Sequence, residues 1–80
     1  MKSIYKNNVK NHLKSFIKGK IKVRIENDTM IVTIYPVGLK SYTYKVYDLT
    51  ATIVSGYPSS MLANSIVKEY KHYIKNQFFI

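Results

Sequence analysis

The chain has no cysteine, so disulfide staples and thiolate metal sites are excluded together. A small secreted domain of 80 residues would ordinarily need such staples, which makes an intracellular, cytoplasmic setting the expectation. Tryptophan is absent, and three glycines and two prolines leave little room for a phosphate-cradling loop or a low-complexity tract. No apolar run approaches the roughly 20 residues that span a bilayer, and Met1 to Lys6 leads directly into lysine-rich sequence without the apolar core of a signal peptide. The expectation is a soluble protein without a membrane role. The scarcest class is acid: Glu26, Asp28, Asp48 and Glu69 are the whole inventory, against 13 lysines and arginines and a net charge of +9.

The shortage of acid says more than the abundance of lysine. Twelve lysines stand beside one arginine, Arg24, as an A/T-rich coding sequence would dictate, yet the same bias should also supply glutamate. Lys2, Lys6, Lys10, Lys14, Lys18, Lys20, Lys22 and Arg24 all precede the first acidic residue, so the positive field gathers in the N-terminal third. Hydrophobic residues make up 46% of the chain, enough for one modest core and for one domain, residues 1–80.

Periodicity predicts an α+β domain of order α-β-β-β-α-α. From Ser3 to Lys18, Tyr5, Val9, Leu13 and Phe16 form one helical stripe with His12 beside it. Lys6, Lys10, Lys14 and Lys18 step at four residues and drift by about 40° per step, which makes a slanted column along the stripe. Gly19 supplies the stop. Lys20 to Glu26 alternates strictly, and Asn27-Asp28 suits a two-residue turn because both tolerate positive φ. Such a turn sets Glu26 opposite Thr29, and then Ile25 faces Met30, Val23 faces Val32 and Ile21 faces Ile34. A five-residue loop, Pro36 to Lys40, pairs Ile34 with Tyr42, Val32 with Tyr44 and Met30 with Val46; a four-residue loop would set apolar residues against Ser41 and Thr43. The product is a three-stranded antiparallel meander whose apolar face must be covered by helices. Asp48 to Ser55 has strand-forming residues but reads as a short helix capped by Asp48 and ended by Gly56. Tyr57-Pro58-Ser59-Ser60 opens a long amphipathic helix with a serine cap, its apolar arc running from Leu62 through Ile66, Val67 and Tyr70 to Ile74.

Catalysis has little to work with. No two carboxylates are placed for acid–base work, His12 and His72 fall on different helices, and no serine sits in a nucleophile elbow, so the expectation is a protein that is not an enzyme and needs no cofactor or metal. Binding is better supplied. The face of the meander turned from the apolar pairs would display Lys20, Lys22, Arg24, Thr33, Tyr35, Thr43, Lys45 and Tyr47, with Ile31 among them. Cations neutralise phosphates and rings stack on unpaired bases, which suits nucleic acid, single-stranded or RNA above all. The bland counterpart is an ordinary polar sheet face whose lysines discourage edge aggregation, with lysine stems of the first helix covering the rim of the core.

The succession helix, meander, helix resembles double-stranded RNA-binding domains in topology. Gly56-Tyr57-Pro58-Ser59-Ser60-Met61-Leu62-Ala63 stands where those domains carry a small-residue, lysine-rich helix entrance, so none of their RNA-contacting residues is carried over. Val32-Thr33-Ile34-Tyr35-Pro36, Gly38-Leu39-Lys40-Ser41-Tyr42-Thr43-Tyr44 and Ser55-Gly56-Tyr57-Pro58-Ser59-Ser60 look like stretches of small accessory proteins of phages and prophages of low-G+C Gram-positive bacteria. That resemblance implies a host-takeover role: binding to nucleic acid, or inhibition of a host protein or nucleoprotein complex in the manner of anti-CRISPR proteins. Acidic anti-CRISPR proteins mimic DNA; a chain at +9 would have to contact RNA, DNA or an acidic protein surface instead.

Overall fold

The computed structural model describes residues 1–78. It contains α1 (Lys2–Phe16), β1 (Lys20–Glu26), β2 (Thr29–Tyr35), β3 (Tyr42–Val46), α2 (Leu49–Val54) and α3 (Ser59–Phe78). The sheet is antiparallel in the order β1-β2-β3, and both expected registers are found, from Glu26 opposite Thr29 to Ile34 opposite Tyr42. Asn27 and Asp28 take φ of 50° and 60°, as a tight hairpin whose twist matches its strands requires.

Alternation places Ile21, Val32, Ile34 and Met30 on one face, where Val9, Leu13 and Ile17 of the first helical segment and Leu62, Ala63, Ile66 and Val67 of α3 cover them. α1 packs on β1 and α3, while α3 also reaches β3. The two helices lie side by side over the sheet and run in the same direction. Tyr5 near the start of α1 donates its hydroxyl to the carbonyl of Tyr57, just ahead of α3 (2.9 Å), and Tyr73 late in α3 donates to the carbonyl of Lys40 in the β2–β3 loop (2.9 Å). Tyr42, Tyr70 and Tyr73 close that far end as a ring cluster with centroids 5.0 to 6.4 Å apart. Burial lifts Tyr5, Tyr42 and Tyr70 above the ordinary value of 10.0, so all three stay neutral at working pH.

Four local expectations are corrected. Phe16 lies outside the core, 58% exposed, because the chain leaves the helix at Ile17, whose extended conformation (φ −123°) drops its own side chain inward instead. Lys18 therefore follows the helix and does not continue the lysine column. Asp48 precedes α2 at φ 52° without a side-chain cap bond; the cap comes from the hairpin turn, where Asp28 accepts from the Thr50 backbone (3.1 Å) and hydroxyl (2.6 Å). At α3 the Pro58 carbonyl, not a serine hydroxyl, receives the first bonds, from Met61 (3.1 Å) and Leu62 (3.2 Å).

Gly19 shows why the α1–β1 junction needs glycine. Its φ is +122°, and a Cβ there would stand 2.9 Å from the Tyr35 carbonyl oxygen.

Asp28 is a latch among three elements. Besides Thr50, its carboxylate accepts Lys2 Nζ at 2.8 Å, and its carbonyl accepts the Leu49 N–H at 2.9 Å. The hydrogen bond from Lys2 first, then that from Thr50, holds the carboxyl below the ordinary 3.8. With the folded value depressed, the unfolded chain takes up its proton first as pH falls, so this contribution is complete above about pH 5 and fades as pH drops through the ordinary value toward the depressed one. Asp28→Asn is expected to lower the melting temperature at pH 7, and the gap from wild type should close in a titration from pH 5 to pH 2.5. A gap that stays constant across that range would remove the latch.

Candidate nucleic-acid interface

Period-two alternation puts Lys20, Lys22 and Arg24 on the outer face of β1, all exposed, at a spacing of about 7 Å along an edge strand. Their cross-strand neighbours are Tyr35, Thr33 and Ile31, and Lys45 of β3 lies beyond Ile31 in the same row as Arg24. Together Lys22, Arg24, Ile31, Thr33 and Tyr35 line a shallow concavity of about 280 Å³. Ile31 is only 8% exposed, against the expectation that it is displayed: the central residue of the central strand has neighbours on every side.

The lysines of α1 join this edge through helical phase. At about 100° per residue, Tyr5 and Lys6 fall on opposite sides of the Val9–Leu13 stripe. Tyr5 faces the loop that leads into α3. Lys6, Lys10 and Lys14 therefore occupy the flank of α1 away from α3, on the helix that packs against β1. Burial follows the slant of the column, with Lys6 and Lys10 half-buried along their stems and Lys14 exposed. Two cation rows thus border one strand, Lys6-Lys10-Lys14 on the helix side and Lys20-Lys22-Arg24 on the outer side, while Lys18 lies in the connection between them.

Counter-ions near these rows are few. Glu26 meets Arg24 at 3.1 Å, but both side chains are more than half exposed, so the pair does little to hold the guanidinium. Lys22 Nζ stands 5.9 Å from the Tyr35 ring centroid, at the outer limit of a cation–π contact. Lys2, counted with the N-terminal cations by sequence, is spent on Asp28. The charge is not confined to one side: Lys68, Lys71 and Lys75 are exposed on the outer surface of α3, with Glu69 and His72 among them.

No family model, curated protein or solved structure matches the chain. Function must therefore be read from its own residues. The structure separates the two candidate stacking rings. Tyr35 ends β2 opposite Lys20, whereas Tyr47 lies one residue past Val46, level with Thr29, which puts the rings roughly 20 Å apart along the strands. Tyr35, 41% exposed, belongs with the β1 cations; Tyr47, 66% exposed, stands apart from them. Among the described residues, no three histidine, cysteine or acidic side chains are grouped to hold a metal ion, and no helix is long and apolar enough to cross a membrane. What sequence reasoning could not supply was the union of the α1 column with the β1 row. Its one advance signal was the direct connection of helix to strand through Gly19.

Proposed function

We propose that this chain binds nucleic acid along β1, as a small accessory protein without catalytic activity. Phosphates lie against Lys20, Lys22 and Arg24 on the outer face and against Lys6, Lys10 and Lys14 on the helix flank, with Lys18 between and Lys45 at the far side of the sheet. The observation that carries this reading is the pair of cation rows, one on β1 and one on the helix packed against it, of which only Arg24 meets an acid, Glu26, among the described residues. Unpaired strands, DNA or RNA, are the favoured form, because Tyr35 offers an open ring beside the phosphate-neutralising groups. With about five phosphates neutralised, log K should fall against log salt with a slope of roughly −4. A slope near zero in an oligonucleotide titration from 50 to 300 mM salt would end the proposal.

A second reading has its own support. Met1, Ile4, Val54 and Met61 expose apolar side chains around the starts of α1 and α3 and the end of α2, a surface suited to protein. In that case the chain is a phage-encoded inhibitor of a host protein or nucleoprotein complex, and its charge steers association. Affinity capture from bacterial lysate with and without nuclease separates the two, since a partner that survives nuclease favours the inhibitor.

A further inference from the structure

Among the described residues the sheet has two free edges, β1 and β3, and they differ. Glu26 and Thr29 flank a two-residue turn and form a hydrogen-bonded pair, so alternation directs the backbone groups of Met30, Val32 and Ile34 toward β3. In β3, Tyr42, Tyr44 and Val46 then bond inward, while Thr43 and Lys45 point their N–H and C=O groups to solvent. The corresponding outward groups on β1 belong to Ile21, Val23 and Ile25, under the two cation rows. A second β1 centred antiparallel on Val23 would set Lys22 against the partner's Arg24 twice at the middle of the strand, with Lys20 against the partner's Glu26 only at its ends, so that edge opposes cations at its centre.

The β3 edge does not. From these registers we infer that two copies of the chain pair through β3, antiparallel about Tyr44, to make one six-stranded sheet. In this register Tyr42 faces the partner's Val46, Tyr44 faces the partner's Tyr44, and Thr43 faces the partner's Lys45. No cation opposes a cation. Both Thr43–Lys45 pairs are of the hydrogen-bonded kind, so the outward backbone groups meet their complements. A centre on Lys45 would oppose the two lysines, and a centre on Thr43 would pair fewer residues. Beside this edge lies a groove of about 310 Å³ lined by Tyr44, Val46 and Leu62 with Thr52, Ser55 and Ser65, and it contains no charged group that a second copy would desolvate. The occupant is a second copy because the edge is self-complementary in backbone and size and its central register opposes no two cations. Pairing five residues per strand makes a small interface, so the dimer forms by mass action and is lost on dilution. Its outer face would carry the Lys20-Lys22-Arg24 rows at both ends.

Sedimentation equilibrium in moderate salt, over a series up to about 1 mM, tests this. The wild-type mass should rise toward twice the monomer's 9.3 kDa. Thr43 is exposed, so its charge variants leave the core untouched. T43E, opposite the partner's Lys45 twice, should tighten the dimer, and T43K should weaken it, each by roughly 2- to 30-fold. T43P, which removes an outward N–H and no bond of the internal ladder, should yield monomer with an unchanged melting temperature. If T43P melts lower, the two charge variants decide alone. A wild-type monomer throughout, or any pattern other than opposite shifts for T43E and T43K, overturns the inference.

Discussion

Replacing Lys20, Lys22 and Arg24 together by glutamine is expected to weaken oligonucleotide binding by at least two orders of magnitude in low salt and to flatten the salt slope by about 2 to 3. The informative control is a second triple, Lys68, Lys71 and Lys75 to glutamine on the outer surface of α3. Each variant removes three cations and takes the net charge from +9 to +6. A diffuse attraction between a polycation and a polyanion would respond alike to both. A site built on β1 responds to the first and barely to the second. All six side chains are exposed, so neither triple should disturb packing, and glutamine keeps most of each stem. Fluorescence anisotropy on a labelled single strand, with thermal melts beside it, reads both properties. Equal losses for the two triples would eliminate the β1 interface while leaving nonspecific charge attraction in place.

The second large effect concerns the core. Leu13 is fully buried where α1 meets both the sheet and α3, so Leu13→Ala should cost about 2–5 kcal/mol. For a chain of this size that is a large part of a total stability of roughly 4–12 kcal/mol, and the melting temperature should fall by about 10–30 °C. Phe16→Ala, by contrast, removes a larger ring from the same stripe of the sequence and should change stability by no more than about 0.5 kcal/mol, because that ring stands 58% in solvent. A loss for Phe16→Ala as large as that for Leu13→Ala would mean that the helix is phased differently on the sheet.

That contrast shows how far one-dimensional pattern reaches. Val9 and Leu13 are legible because a stripe at three- and four-residue spacing must face the core. Phe16 is misread because a helix end is set by where the chain turns out, and once Ile17 turns inward the place is filled. The cap of α2 was hidden for a related reason. Asp48 has the local sequence of a cap, but Asp28, 22 residues from Thr50, takes the bond once the hairpin is folded against the helix layer. Tyr35 and Tyr47 looked equivalent on one face, since alternation reports the side of a sheet and is silent on the distance along it.

The sequence by itself determined the element order, the hairpin turn and both strand registers, because period-two alternation leaves one pairing in which every apolar residue meets another. It also determined the cation excess. Only the tertiary structure decided that the lysines of α1 lie on the flank away from α3 and that Lys2 is paired with Asp28. Each depends on which flank of a helix faces which strand, and that is settled by packing two amphipathic helices side by side over one twisted sheet, a relation between distant segments that no local period encodes.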